Sequence, residues 1–357
     1  MKINFSGPFN VSTSYGACTR NIVKALQSIN QNPRLFPIGG LECYPEESDS
    51  LREALAEPWN PNCPSVRLFH QNNLYEHTSR KLRVGYPIFE LTIFNNKELE
   101  NLRNQDALFV TSEWGKNIIK ENNISCPTYV VPLGSDPEVF HKNVAPSIPK
   151  KKGFVRFGSI GKLEQRKLHD LLPTLFWKAF NATDKVELYL LLNNPFVSEQ
   201  EFQEWVNYYK GILGDQVTFV PRLQRPSDVA AFMASCDIML QPSRSEGWNM
   251  PACDAMSMEL PIVGVDYSAS TEFLNNSNSY LVKPNSLEIA RDGKWFTEEL
   301  GKWAMIDHQE ADELVSLMRQ ARNDVLNGRA KHGSLGKFTW QNTARTMVSA
   351  LEELMGV

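Results

Sequence analysis

The residues best suited to chemistry lie in two stretches of the chain. Gly158-Ser-Ile-Gly-Lys-Leu-Glu-Gln-Arg-Lys167 sets Lys162, Arg166 and Lys167 just past a short apolar run, where glycines permit close backbone approach to a ligand. Three cations at the carboxyl end of a strand can neutralise a diphosphate without a metal ion. Gln241-Pro-Ser-Arg-Ser-Glu-Gly-Trp-Asn-Met-Pro-Ala-Cys-Asp-Ala-Met256 places two carboxylates, Glu246 and Asp254, on either side of a helix start marked by Pro251. Asp254 is expected in the first helical turn. The amides of Trp248, Asn249 and Met250 would point from that helix terminus towards an anionic group. A carboxylate pair beside an anion site suits a ligand carrying both hydroxyls and phosphate. The plainer alternatives are that the carboxylates cap the helix and that the cations form a solvated face. Neither GxxxxGK[ST] nor GxGxxG occurs, which argues against P-loop and ordinary dinucleotide binding.

Such residues need strands to present them. Apolar runs predict strands at 2–5, 67–69, 107–110 and 128–132, and again at 155–160, 186–192, 217–220, 237–240 and 261–265. Helical spacing appears from Gly16 through Ile22, Val23, Leu26 and Ile29, then at 97–102, 168–180, 199–209, 226–234 and 251–257. Repeated β-α units imply parallel sheets with helices on both faces. Residues 143–153, with Pro146, Pro149 and three consecutive lysines, predict a linker. The expected architecture is α/β: two Rossmann-like doubly wound domains, 1–149 and 150–340, facing each other across a cleft at the carboxyl ends of their strands.

Composition narrows the partners. The 37 Lys and Arg against 41 Asp and Glu give a net charge of −4, so no overall field favours nucleic acid. The six cysteines show no CxxC or zinc-ligand spacing and predict free thiols. The apolar run at 186–192 is far shorter than the roughly 20 residues that span a bilayer. With a polar start to the chain, a cytoplasmic location is expected, peripheral membrane attachment being left open.

Together these residues resemble the retaining glycosyltransferases of the GT-B fold, close to family 4 (glycosyl transferases group 1). Glu246-Gly-Trp-Asn-Met-Pro-Ala-Cys-Asp-Ala-Met256 is similar to the family's EGFGLPxLEAM block, and Gly161-Lys-Leu with Arg166-Lys167 to its G-[RK]-L…[RK]K. Val217-Thr-Phe-Val-Pro, Tyr267-Ser-Ala-Ser-Thr-Glu272 and Phe338-Thr-Trp-Gln-Asn-Thr-Ala344 add to the resemblance. So do Ala107-Leu-Phe-Val-Thr-Ser-Glu-Trp and Val130-Val-Pro-Leu-Gly-Ser-Asp-Pro-Glu-Val-Phe140.

The resemblance implies an NDP-sugar donor, UDP- or GDP-linked, and no required cofactor or metal. Lys162 and Lys167 would grip the diphosphate, with Arg166 a weaker candidate. Glu246 would bind hydroxyls of the transferred sugar, and the amides of Trp248, Asn249 and Met250 the sugar or phosphate. Asp254 would hold the ribose, Leu223 the base edge, Gly16 the phosphates, and His70 would face the donor sugar. Residues 341–357 would pack back on the first domain. Three departures stand out: Asp254 replaces a Glu, Asn249 a Gly, and residues 268–270 a Gly-rich turn. A sugar-nucleotide epimerase and a catalytically weakened nucleotide-sugar binder are the alternatives. The acceptor is left open among carbohydrate, lipid-linked, protein and modified nucleic acid, as is the oligomeric state. Residues 41–64 and 71–90 are expected as long acceptor-side loops, the second holding Arg80, Lys81 and Arg83.

Overall fold

Parallel strands buried on both faces require near-continuous apolar sequence, and the chain supplies such runs at regular intervals. The computed structural model describes every residue except Ala182, Asn193, Pro195 and Val357. The chain forms two compact units, Met1–Gly134 with Lys337–Val357, and Ser135–Gly336.

The first unit holds a six-stranded parallel sheet ordered β2-β1-β3-β4-β5-β6. Its strands are β1 (Lys2–Pro8), β2 (Asn32–Ile38), β3 (Ser65–Phe69), β4 (Arg83–Pro87), β5 (Ala107–Val110) and β6 (Thr128–Val130). Helices α1 (Ser14–Ser28), α2 (Ser48–Ala56), α3 (Asn96–Arg103) and α4 (Glu113–Glu121) connect them. Leu74, Phe89, Leu108, Val110 and Ile118 form a core cluster on this sheet. The two segments expected as acceptor-side loops are partly regular. The first contains α2, whose Leu51 and Ala54 are buried one turn apart, and the second contains β4. Gly85 and Pro87 break the strand signal of β4, yet the strand is central. A Cβ at Gly85 would come 3.0 Å from Leu108 Cδ2, so the glycine admits the neighbouring side chain.

The second unit repeats the plan with the order β12-β11-β10-β7-β8-β9. Its strands are β7 (Val155–Gly161), β8 (Val186–Leu192), β9 (Val217–Phe219), β10 (Ile238–Gln241), β11 (Ile262–Val265) and β12 (Tyr280–Val282). An antiparallel ribbon, β13 (Leu287–Ile289) with β14 (Lys302–Ala304), follows. The helices are α5 (Leu172–Ala179), α6 (Glu199–Leu213), α7 (Pro226–Ala234), α8 (Met250–Ser257) and α9 (His308–Leu326). Phe157, Phe176, Leu188, Leu240, Val263 and Leu314 share one core. After α9 the chain returns to the first unit as α10 (Trp340–Met355), which packs on α1.

Two local departures from sequence expectation bear on the site. Residues 135–149 belong with the second unit, held by Ser147 N–H to the Ala231 carbonyl (3.0 Å), Ile148 N–H to Ser235 Oγ (3.0 Å) and the Arg156 guanidinium to the Pro149 carbonyl (3.0 Å). The helix expected from residue 168 starts at Leu172. Before it, Gln165–Lys167 makes a 3₁₀ turn, and Leu168 sits in the left-handed region at φ 62°.

Candidate active site

In an open parallel sheet, the loops leaving two adjacent strands diverge where the strand order reverses, and ligands bind there. In the second unit this point lies between β7 and β10, strands far apart in sequence but hydrogen-bonded in the sheet. It unites the two stretches singled out from the sequence. The loop after β7 carries Lys162–Lys167, and the loop after β10 carries Glu246 and leads into α8.

The two loops are stitched together. Arg244 N–H donates to the Arg166 carbonyl (2.7 Å), and the Arg244 guanidinium donates to the Gln165 carbonyl and to both carboxylate oxygens of Asp170 (2.9 and 3.0 Å). The Arg166 guanidinium donates to the Ser245 carbonyl (2.7 Å) and pairs with Glu164 (3.0 Å) and Glu246 (3.1 Å). Lys167 Nζ lies 2.5 Å from Glu246 Oε1. Its stem runs over Gly161, where a Cβ would stand 2.9 Å from Lys167 Cδ. Ser268 Oγ accepts from Glu246 N–H (2.8 Å), and Glu246's carbonyl accepts from Ala269 N–H (3.2 Å). Burial alone would raise the Glu246 carboxyl. The charges of Lys167 and Arg166, with hydrogen bonds from Lys167 and Ser243, outweigh it and hold the group at about 2. Glu246 is therefore ionised at neutral pH.

The remaining expected residues fall into separate groups. Lys162 is the most open of the three cations, its side chain 41% exposed against 7% for Arg166 and 11% for Lys167. It lies 3.7 Å from Glu164 and over the Phe196 ring. Asn249 takes the left-handed conformation (φ 73°) that a glycine would hold without strain. It caps α8 by accepting from Ala252 N–H (3.4 Å). The Trp248 ring is 2% exposed and packs on Phe273 at 5.0 Å, so only its backbone is suited to a ligand; Met250 is half-buried at the start of α8. Asp254 sits one residue further into α8 than expected, because the helix opens at Met250 rather than Pro251. Half-buried, it takes its hydrogen bond from Ser135 Oγ (2.6 Å) rather than from the basic loop. Burial raises its carboxyl to about 7; the Ser135 hydrogen bond opposes the rise and Asp136 adds to it. Leu223 is half-buried between β9 and α7.

In the first unit the strand order reverses between β1 and β3, and Gly16 and His70 lie on the segments that leave those strands. Tyr15 donates to the Ile88 carbonyl (2.9 Å), and its hydroxyl lies 3.3 Å from Nδ1 of exposed His70. Gly16 is fixed by packing: a Cβ there would stand 2.0 Å from the Asn10 carbonyl oxygen. Arg244, Asp170, Glu164 and Ser135 join the site without a signal in the sequence. Their partners lie as much as 119 residues away, beyond any local pattern.

Residues 154–292 match the family model for glycosyl transferases group 1. An uncharacterised glycosyltransferase of Haemophilus influenzae is 27% identical over 160 residues, covering 42% of this chain and 44% of that protein. The match thus spans less than half the length of that relative. Sucrose-phosphate synthase from Thermosynechococcus elongatus aligns over 100% of this chain and 99% of its own, with a TM-score of 0.69 and 15% identity. HepE of Anabaena, solved in complex with UDP-glucose, aligns over 99% of this chain and 100% of its own, with a TM-score of 0.68 and 13% identity. Two Rossmann-like domains, each built on a six-stranded parallel sheet, give this chain the fold of GT-B glycosyltransferase structures.

Proposed function

We propose that the protein transfers a sugar from a nucleoside-diphosphate sugar, UDP- or GDP-linked, to an acceptor hydroxyl, with retention at the anomeric carbon and without a metal ion. One observation carries the proposal: the strand order brings Lys167 and Glu246 into contact at the switch point, beside the start of α8. The match of residues 154–292 and the UDP-glucose held by a protein of the same fold support it. The absence of any Asp-x-Asp sequence favours charge neutralisation by Lys162 and Lys167.

In this scheme the bond between the anomeric carbon and the leaving phosphate oxygen breaks, and its electron pair stays with the diphosphate. Lys162, Lys167 and the α8 amino terminus stabilise the growing negative charge. The acceptor oxygen forms the new bond on the same face, and its proton passes to the departing phosphate. Glu246 orients the sugar hydroxyls and stabilises positive charge on the ring, with the amides of Trp248, Asn249 and Met250 nearby. Asp254 serves the ribose and Leu223 the base. The sugar and the acceptor are to be found by assay.

The test offers a panel of UDP- and GDP-sugars and follows release of the nucleoside diphosphate, with and without EDTA. Slow EDTA-resistant hydrolysis of one donor, accelerated by the right acceptor, is the expected result. If no sugar nucleotide binds by calorimetry, the proposal fails.

A further inference from the structure

Glu246 is met by two cations at once. Lys167 contacts one carboxylate oxygen at 2.5 Å and Arg166 the other at 3.1 Å. The two cations are held very differently. Arg166 is locked by the Ser245 carbonyl (2.7 Å) and by Glu164 (3.0 Å), while its own carbonyl is held by Arg244 N–H (2.7 Å). Lys167 reaches Glu246 from the end of a flexible four-carbon stem, and an ammonium on such a stem can turn to a new anion by bond rotation alone.

Turning away has a cost. A carboxylate as buried as Glu246, which is 6% exposed, cannot stay ionised without a counter-charge. We infer that Arg166 is a positioning residue: it holds Glu246 ionised and in place while Lys167 transfers its ammonium to an anionic ligand. The fixed guanidinium and the mobile ammonium divide the work, and Arg166 itself is not a phosphate ligand. The ligand half of this inference rests on the donor proposed above; the hold on Glu246 does not. The groups facing Glu246 are Arg166 and Lys167 from the loop after β7 and the Ser243 hydroxyl from its own loop, while Ser268 meets its backbone and Glu164 faces Arg166 from behind.

The hold is read without ligand, by carbon-13 NMR titration of labelled glutamate in the whole protein, with Glu246→Gln assigning the signal. In Lys167→Met, Glu246 is expected to remain ionised at about pH 6. Adding Arg166→Gln should raise its midpoint by a further 1–3 units, roughly the effect of one close opposite charge, and Arg166→Lys in its place should prevent much of that rise. Protonated Glu246 at about pH 6 in Lys167→Met alone would overturn the inference, even if the double variant does not fold. So would a midpoint indifferent to Arg166→Gln.

The second arm follows the pH profile of UDP-glucose turnover in Arg166→Gln. The acid limb of kcat should move to higher pH with KM little changed. A rise in KM at every pH with the limb unmoved would identify Arg166 as a phosphate ligand instead, and the inference would fall. If the wild-type protein turns over no nucleotide sugar, the donor proposal fails, and the titration still judges Arg166.

Discussion

Two carboxylates in one short stretch end with opposite acidities, and folding stability should record both. Glu246 is held at about 2 against an ordinary value of 4.5. Its stabilising contribution is therefore complete above about pH 4.5 and lost as pH falls through 2. Asp254 is raised to about 7 from 3.8, so the unfolded chain releases its proton first. Stability should fall as pH rises from about 4 to 7 and then level off. Urea unfolding at a series of pH values should show this decline, and Asp254→Asn should flatten it and unfold at higher urea above pH 7. The same titration bears on the ribose contact proposed for Asp254, since an ionised carboxylate accepts hydrogen bonds from hydroxyls better than a protonated one. Below about pH 6, UDP affinity should weaken in the wild type but not in Asp254→Asn, as calorimetry would show. Lys167→Ala should lower kcat about 10²-fold or more, the usual scale for removing a transition-state donor. Near-wild-type turnover in that variant would refute its assignment to the diphosphate.

The elements are tuned by a few strained or crowded backbone positions. Asn249 opens α8 at φ 73°, so Asn249→Gly should fold nearly as well as the wild type. Asn249→Val adds a branched side chain to a left-handed residue and should cost about 1–2 kcal/mol or more, read by thermal melting. Gly16→Ala must displace the Asn10 carbonyl, and such crowding costs about 1–3 kcal/mol. At this scale the sequence was informative where the chemistry is local. The alternation of strand and helix, the helix start near Pro251 and the glycine before Lys162 were legible because each rests on neighbours in the chain. The left-handed Leu168 was not legible, since a buried leucine gives no sign of adopting φ 62°. The ribbon of β13 and β14 leaves no clear sequence signal either; its strands are three residues each and partly exposed.

At the scale of the molecule, what mattered most was strand order. Lys167 and Glu246 were both visible as candidates, but their contact follows from β7 pairing with β10. A pairing across so much intervening chain leaves no local trace. The closing helix makes the same point in the first unit. Met347 and Leu351 of α10 are fully buried, and the helix packs on α1. Met347→Ala or Leu351→Ala should cost about 2–5 kcal/mol. Hydrogen exchange should then speed up in α1 and its sheet, while the amides around Glu246 keep their protection. The arrangement has a consequence for the order in which the protein is made. Ribosomes deliver the first unit's strands early and α10 only after the whole second unit has emerged. Domains fold as units as they leave the ribosome. The second unit can therefore mature while the first waits with the face of α1 uncovered. The first unit to be synthesised is the last to be finished.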